Sequence, residues 1–247
     1  MMKGLMAVAL AWIPLALTGL AGSPPGQGWV SLFNGRDLSG WKVPEGDGGH
    51  WKVVDGVIDY DAQSEAKGDR NLWTEQSFGD FVLHIQWRFK KTTGLYPMPT
   101  ILPDGTYKTD EKGQVITQLR PNADSGIFLR GHRKAQINLW CWPCGSGEIW
   151  GYRNDKTMPA VVRAGCVPKL CADKPVGQWN TMVITMKGDR VTVQLNGQTV
   201  IDNVQLPGVP EEGPIGLQHH GGINRRTGQM SPASSLIQFR EIYIKPL

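Results

Sequence analysis

The stretch Ala123–Tyr152 reads ADSGIFLRGHRKAQINLWCWPCGSGEIWGY and contains two short segments in which apolar residues alternate with other types. Side chains of a β-strand point alternately to the two faces of a sheet, so each segment divides into an aliphatic row and a mixed row. The mixed rows contain Phe128, Arg130, Gln136, Asn138 and Trp140. We expect these rows to form one outer surface that suits a sugar, and the alternative is a half-exposed sheet with ordinary polar residues outside.

The rest of the chain shows the same alternation in many short segments. Examples are Phe81–Trp87 and Met182–Met186, and turn signals such as Asp55-Gly56 and Asn196-Gly197 separate neighbouring segments. The 31 glycines and 17 prolines fit a chain with frequent turns. No segment has a clear amphipathic helical pattern. The sequence therefore predicts an all-β fold, a two-sheet antiparallel sandwich.

The N-terminus has the pattern of a secretory signal peptide, which we place at residues 1–22. An early Lys3 precedes an uncharged apolar run that ends in small residues. A retained membrane helix is the alternative, but Pro14 interrupts a run that is short for a bilayer span. We therefore predict an exported protein, periplasmic or extracellular, without stable membrane insertion after cleavage, whose residues 23–247 form a single domain.

Charge and aromatic content narrow the classes of partner. The formal charge of +4 comes from 26 basic and 22 acidic residues, with no block of Lys or Arg, so nucleic acid is not an expected partner. The 10 tryptophans fit carbohydrate stacking, although core packing is the default for any one of them.

Several segments, in order along most of the chain, closely resemble the 3-keto-disaccharide hydrolase family. They are SLFNGRDLSGW (31–41), WKVVDGVI (51–58), FGDFVLHIQWRF (78–89), DSGIFLRG (124–131), PVGQWNTMVITMKGDRVTVQLNGQTV (175–200), GPIGLQHHG (213–221) and IQFREIYIKPL (237–247). The resemblance implies a jelly roll of the concanavalin A-like or glucanase-like type, whose concave sheet binds sugar. It also implies cleavage of glycosidic bonds in 3-keto-disaccharides or 3-keto-glucosides.

The implied reaction begins with the C3 ketone, which acidifies the C2 hydrogen. A base removes this proton, the enolate expels the glycosidic oxygen at C1, and addition of water completes net hydrolysis. His220 is the predicted base, because the family pattern has a Gln followed two residues later by a His. Arg130 or Arg240 would stabilise the C3 oxygen, and Glu148 or Asp124 would protonate the leaving group.

Further residues are predicted to bind the substrate. They are Gln136, Asn138, Trp140, Tyr152, Gln218 and Arg240. No cofactor is predicted, and a divalent metal in place of the arginine is left open, since His and acidic residues show no recognisable ligand spacing.

The four cysteines, Cys141, Cys144, Cys166 and Cys171, lie close together in the sequence. Export makes disulfides the first expectation, with three connectivities open, and a structural zinc site is the alternative.

Two further readings compete with an enzyme. The chain could be a carbohydrate-binding module without catalysis, since a fold does not fix a function. It could also be an interaction module, in which case the insertion Thr92–Ala123 would be the contact; as part of an enzyme the same insertion could form a lid, or it could be a solvated decoration.

Overall fold

A computed structural model describes residues 26–247. The predicted signal peptide, residues 1–22, lies outside this part, so the division into a leader and one domain stays a prediction. No helix within the described range combines the length and apolar character that crossing a bilayer requires.

The described chain forms fifteen strands and two short helices. The strands are β1 (Val30–Ser31), β2 (Trp41–Lys42), β3 (Lys52–Val54), β4 (Val57–Tyr60), β5 (Leu72–Phe78), β6 (Phe81–Phe89), β7 (Leu95–Pro99), β8 (Thr117–Pro121), β9 (Asp124–Leu129), β10 (His132–Trp140), β11 (Asn180–Lys187), β12 (Arg190–Leu195), β13 (Gln198–Gln205), β14 (Gly213–Leu217) and β15 (Ile237–Pro246). The helices are α1 (Trp150–Arg153) and α2 (Ala160–Gly165), and both lie between β10 and β11.

Two antiparallel sheets pack face to face. The larger has eight strands in the order β13-β12-β11-β6-β15-β4-β3, with β1 beside β15, and the smaller has the order β10-β9-β14-β5-β2. The predicted all-β, two-sheet antiparallel sandwich is confirmed. It follows from alternation: β6 alternates strictly between buried and half-buried residues, which is the pattern of a sheet with one face on the core.

The predicted turns close hairpins as their residue types indicate. Asp55 and Gly56 connect β3 to β4 with φ values of 50° and 76°, and Asn196 and Gly197 connect β12 to β13 with 51° and 81°. Positive φ at both central residues is the requirement of a type I′ turn, which Asp, Asn and Gly meet at low cost.

The insertion Thr92–Ala123 forms a separate two-stranded sheet from β7 and β8. The helices were not predicted, because four and six residues are too few to display a helical period. Helix α1 packs against β10, and α2 packs against α1 and against β13 of the larger sheet.

Candidate functional site

A cavity of about 470 Å³ lies on the face of the five-stranded sheet that points away from the core. We name it the His220 cavity. Its lining residues are Tyr107, Asp124, Gln136, Asn138, Trp140, Trp142, Trp150, Gln218 and His220. Six of the residues predicted from the sequence therefore meet in one place: Asp124, Gln136, Asn138, Trp140, Gln218 and His220.

Strand alternation explains this meeting. Gln136, Asn138 and Trp140 occupy every second position of β10, while Ile137 and Leu139 between them are fully buried in the core. Antiparallel pairing places Trp140 directly opposite Asp124 at the start of β9. Gln218 and His220 extend beyond the end of β14, which pairs with the other edge of β9.

Two amides bridge the floor of the cavity. Gln136 Nε2 donates a hydrogen bond to Gln218 Oε1 at 2.6 Å. The Gln136 side chain lies over Gly126, so close that a Cβ at this position would overlap it. Gly126 is therefore required for the approach of the two amides.

His220 is held in one tautomer. Its Nδ1 lies 2.8 Å from the carbonyl oxygen of Ala233, and because a carbonyl only accepts, Nδ1 carries the proton. The backbone N–H of His220 donates to Ser235 Oγ at 2.9 Å, which fixes the start of the side chain. In the neutral ring Nε2 then carries the lone pair that a general base requires.

Ser235 also holds Asp124 in place. Ser235 Oγ, fully buried, donates to the Asp124 carbonyl oxygen at 2.7 Å, so one hydroxyl holds the backbones of Asp124 and His220. Asp124 Oδ1 is buried and has no hydrogen-bond partner within residues 26–247. Burial raises the pKa of Asp124 to about 6, and the neighbouring His220 lowers it in part. The carboxyl group can therefore hold a proton close to neutral pH.

The sequence prediction for Arg130 is wrong about its position. β9 ends at Leu129, and Arg130 adopts a φ of 50°, so strand alternation no longer sets its direction. The side chain is buried and donates to the carbonyl oxygens of Gly79, Gly188 and Pro210, and it forms a salt bridge with Asp80 at 2.8 Å. Arg130 ties loops together at the other end of β9 and does not line the His220 cavity.

Arg240 and Tyr152 also lie elsewhere. Arg240 belongs to β15 of the larger sheet, where it donates to Gln86 Oε1 at 2.8 Å and stacks over Trp179 at 4.1 Å. Tyr152 is fully buried in α1, and its hydroxyl donates to the carbonyl oxygen of Pro207 at 3.1 Å. Neither residue lines the His220 cavity, because one is on the opposite sheet and the other points into the core.

Glu148 is a buried structural carboxylate in this arrangement. It is fully buried and forms an ion pair with Arg153, which is also buried. Arg153 in turn donates to the carbonyl oxygen of Gly105 and to Tyr107 Oη, at 3.1 and 3.2 Å. Glu148 is absent from the lining of the His220 cavity, but through Arg153 it positions Tyr107, which lines it.

Comparison with known proteins supports a relationship along most of the chain. The sequence profile of the 3-keto-alpha-glucoside-1,2-lyase-like domain matches residues 28–245. The chain belongs to this family. No protein in the curated set matches it significantly.

Solved structures similar to this lyase-like domain show its fold. A protein of Parabacteroides distasonis, provisionally described as a glycosyl hydrolase, has 24% identity and a TM-score of 0.53, over 90% of this chain and 84% of that chain. A second protein of the same organism and description has 19% identity and a TM-score of 0.52, over 89% and 94%.

The four cysteines of the lyase-like domain are free thiols in the structure, so the predicted disulfides are not formed there. Within residues 26–247 no group of three or more His, Cys, Asp or Glu side chains is arranged to hold a metal ion. The four cysteines therefore do not form the zinc site that was the alternative to disulfides. Cys141 and Cys171 line one cavity, and Cys144 Sγ lies 3.7 Å from Glu148 Oε2.

Three aromatic residues of the cavity were missed from the sequence. Trp142 follows the end of β10 and stacks on Trp140, with ring centroids 4.1 Å apart and planes 6° from parallel. Trp150 begins α1 with 45% of its surface exposed, and Tyr107 comes from the insertion. Trp142 and Trp150 both fall within the stretch Ala123–Tyr152, which was a usable signal, whereas nothing in the sequence connects Tyr107 to the site.

Proposed function

We propose that this protein cleaves the glycosidic bond of 3-keto-glucosides, including 3-keto-disaccharides, by removing the C2 proton and eliminating the C1 substituent. The observation that carries the proposal is the imidazole of His220, with its Nδ1–H held by Ala233, in the same cavity as the buried carboxyl group of Asp124. Membership in the lyase-like family supports the class of substrate.

Each residue has a role that follows from its protonation. His220 Nε2 accepts the C2 proton, and the electrons of the C2–H bond form a C2=C3 enolate. Collapse of the enolate restores the ketone, forms the C1=C2 double bond and breaks the C1–O bond. Asp124, when protonated, gives its proton to the departing oxygen. The products are a 2-hydroxy-3-keto-glucal and an alcohol, and addition of water to the double bond would complete net hydrolysis.

The enolate oxygen needs hydrogen-bond donors, and the predicted arginines do not reach the cavity. The side-chain amides of Gln136, Asn138 and Gln218 line it instead. Neutral donors aimed at a developing negative charge stabilise a transition state when they are held in advance. The Gln136–Gln218 hydrogen bond supplies that preorganisation.

The test is a time course with purified protein. A 3-keto-glucoside and its unoxidised parent are incubated separately, with and without a chelator, and the released alcohol is measured. The proposal requires release from the keto sugar alone, and loss of release with chelator would assign the stabilisation of the enolate to a metal. Absence of release from every linkage tried would overturn it.

A carbohydrate-binding module without catalysis is the second candidate. The half-buried Trp142 and the exposed Trp150 of the cavity favour it, because the face of an aromatic ring can pack against a sugar. Binding of the parent glucoside as tight as that of the keto sugar, with no turnover of either, would support this module instead.

We also propose that the protein is exported to the periplasm or the extracellular space, on the pattern of residues 1–22. Detection of a mature N-terminus near residue 23 in the secreted fraction would support export. Retention of the full chain in the cytosol would contradict it.

A further inference from the structure

A second cavity, of about 250 Å³, opens beside the first. We name it the Trp87 cavity. It shares Trp140 and Trp142 with the His220 cavity, so the stacked indoles form a common wall. On its other sides lie the end of β6 and the segment 171–178 that leads into β11.

The walls of the Trp87 cavity are mainly apolar and aromatic. Besides the two shared indoles they include Trp87, Phe89, Pro121, Pro175 and Val176. An apolar cavity of roughly 150 Å³ is enough to hold a benzene ring. The Trp87 cavity therefore has room for one six-membered aromatic ring with a small substituent.

Two buried polar atoms in these walls lack a partner in the described part of the chain. They are Trp87 Nε1, a donor, and Asp173 Oδ1, an acceptor. The other oxygen of Asp173 already accepts the backbone N–H of Ser146 at 2.8 Å. Buried polar atoms are nearly always satisfied, and both residues line this cavity, so a group that can both accept and donate would satisfy the two atoms together. A hydroxyl group has both capacities.

We propose that the Trp87 cavity is the subsite for the leaving group, and that it takes a hydroxylated aryl ring. The inference rests on the proposed function, because only a glycoside placed in the His220 cavity would direct its C1 substituent past the shared indoles. The ring packs between the stacked pair Trp140–Trp142 on one side and Phe89 on the other. Its phenolic hydroxyl accepts from Trp87 Nε1 and donates to Asp173 Oδ1.

The first experiment compares leaving groups in a variant that fills the mouth of the cavity. Val176 is 41% exposed, so Val176→Trp should fold normally while placing an indole in the aryl position. Val161→Trp, at a helix position that is 78% exposed and outside the cavity, is the matched control. The substrates are the 4-hydroxyphenyl, methyl and glucosyl 3-keto-glucosides, and the readout is kcat/KM.

We expect Val176→Trp to lower kcat/KM for the 4-hydroxyphenyl substrate by about tenfold relative to the methyl substrate, the effect of losing one buried aromatic contact. Comparing the ratio of the two kcat/KM values in the variant with the same ratio in the wild-type protein cancels the intrinsic reactivity of the two leaving groups. An unchanged ratio would overturn the proposal. An equal loss for the glucosyl substrate would also overturn it, by making the cavity a general sugar subsite.

The second experiment tests the hydroxyl contact. In Asp173→Asn the amide oxygen can still accept from Ser146, which turns the NH₂ group toward the cavity and replaces an acceptor by a donor. We expect the ratio of kcat/KM for the 4-hydroxyphenyl substrate to kcat/KM for the phenyl substrate to fall. Retention of the wild-type ratio would contradict the assigned contact.

A binding experiment tests the aryl subsite independently of the proposed cleavage reaction. The unoxidised 4-hydroxyphenyl glucoside cannot eliminate, so saturation-transfer NMR of its aryl protons reports occupancy alone. Transfer that Val176→Trp removes and Val161→Trp keeps would support the subsite even if no keto sugar is turned over. Turnover without such transfer, and without leaving-group selectivity, would leave the proposed function standing and remove the subsite.

Discussion

The carbonyl oxygen of Ala233 lies 2.8 Å from Nδ1 of His220 and fixes the imidazole in the tautomer with a free Nε2. A second histidine has the same contact far from the cavity, since His84 Nδ1 donates to the carbonyl oxygen of Glu241 at 3.0 Å on the larger sheet. His84 is therefore a control for His220, because its ring makes the same kind of contact but does not line the cavity.

His220→Asn is the first prediction. The amide of Asn can still donate to Ala233, but it provides no base, so we expect kcat for a 3-keto-glucoside to fall by about 10²-fold or more while substrate affinity changes little. Steady-state kinetics and calorimetric binding of the parent glucoside are the measurements. His84→Asn is the control and should leave kcat unchanged; equal losses in both variants would indicate a structural effect.

Asp124→Asn is the second prediction, and it depends on the leaving group. Since the pKa of Asp124 is raised to about 6, the acid is protonated below this pH, and the rate for a poor leaving group such as methanol should decline as pH rises through it. Asn cannot supply the proton, so we expect a loss of about 10²-fold for the methyl substrate and a much smaller one for 4-nitrophenyl. The measurement is a pH–rate profile for both substrates; identical losses would remove Asp124 as the acid.

The same shift in pKa affects stability. Asp124 binds a proton more tightly in the folded state, where its pKa is about 6, than in the unfolded state, where its pKa is 3.8. The free energy of unfolding should therefore decrease as pH rises from about 4 to about 6. Urea unfolding of the wild-type protein and of Asp124→Asn across this range checks the sign, because the variant should lack this part of the decrease.

Gly126→Ala is the third prediction. The added methyl group would overlap Gln136 and displace it from Gln218, so we expect kcat/KM to fall by about tenfold while the strand persists. Gly68→Ala is a matched control, since a Cβ there would meet nothing within 4 Å. Full activity of Gly126→Ala would show that the two amides are not required as a unit.

Glu148→Ala is the fourth prediction. Removing one partner of a buried ion pair leaves the other charge uncompensated, so we expect unfolding to require about 3–5 kcal/mol less. The control is Asp202→Ala, which breaks the exposed pair with Lys169 and should cost less than about 1 kcal/mol. Chemical denaturation of both variants gives the comparison, and similar values would contradict a structural role for Glu148.

A fifth prediction concerns the cysteines. Cys171 lines one cavity with Cys141 and another with Cys144, while Cys144 and Cys166 both lie near the Glu148 carboxylate. If the protein is oxidised on export, we expect the pairs Cys141–Cys171 and Cys144–Cys166, and peptide mapping without reductant would identify them. Any other pairing would show that the loop 141–147 rearranges on oxidation.

Alternation along strands was enough to predict the sandwich and most of the His220 cavity. Gln136, Asn138 and Trp140 are regular strand positions, so their direction could be read from the sequence. The prediction that Arg130 lines the cavity was wrong because the strand ends one residue earlier and the chain turns with a positive φ. Tyr107 could not be predicted at all, since its place depends on Arg153, which lies 46 residues further along the chain.

The stacked Trp140 and Trp142 have a practical consequence. Two parallel indoles 4.1 Å apart couple their electronic transitions, which should give a paired signal in the near-ultraviolet circular dichroism spectrum. Because these rings border both cavities, a ligand entering either one would change the coupling. The protein therefore contains its own optical reporter, and occupancy of the two cavities can be followed without adding a label.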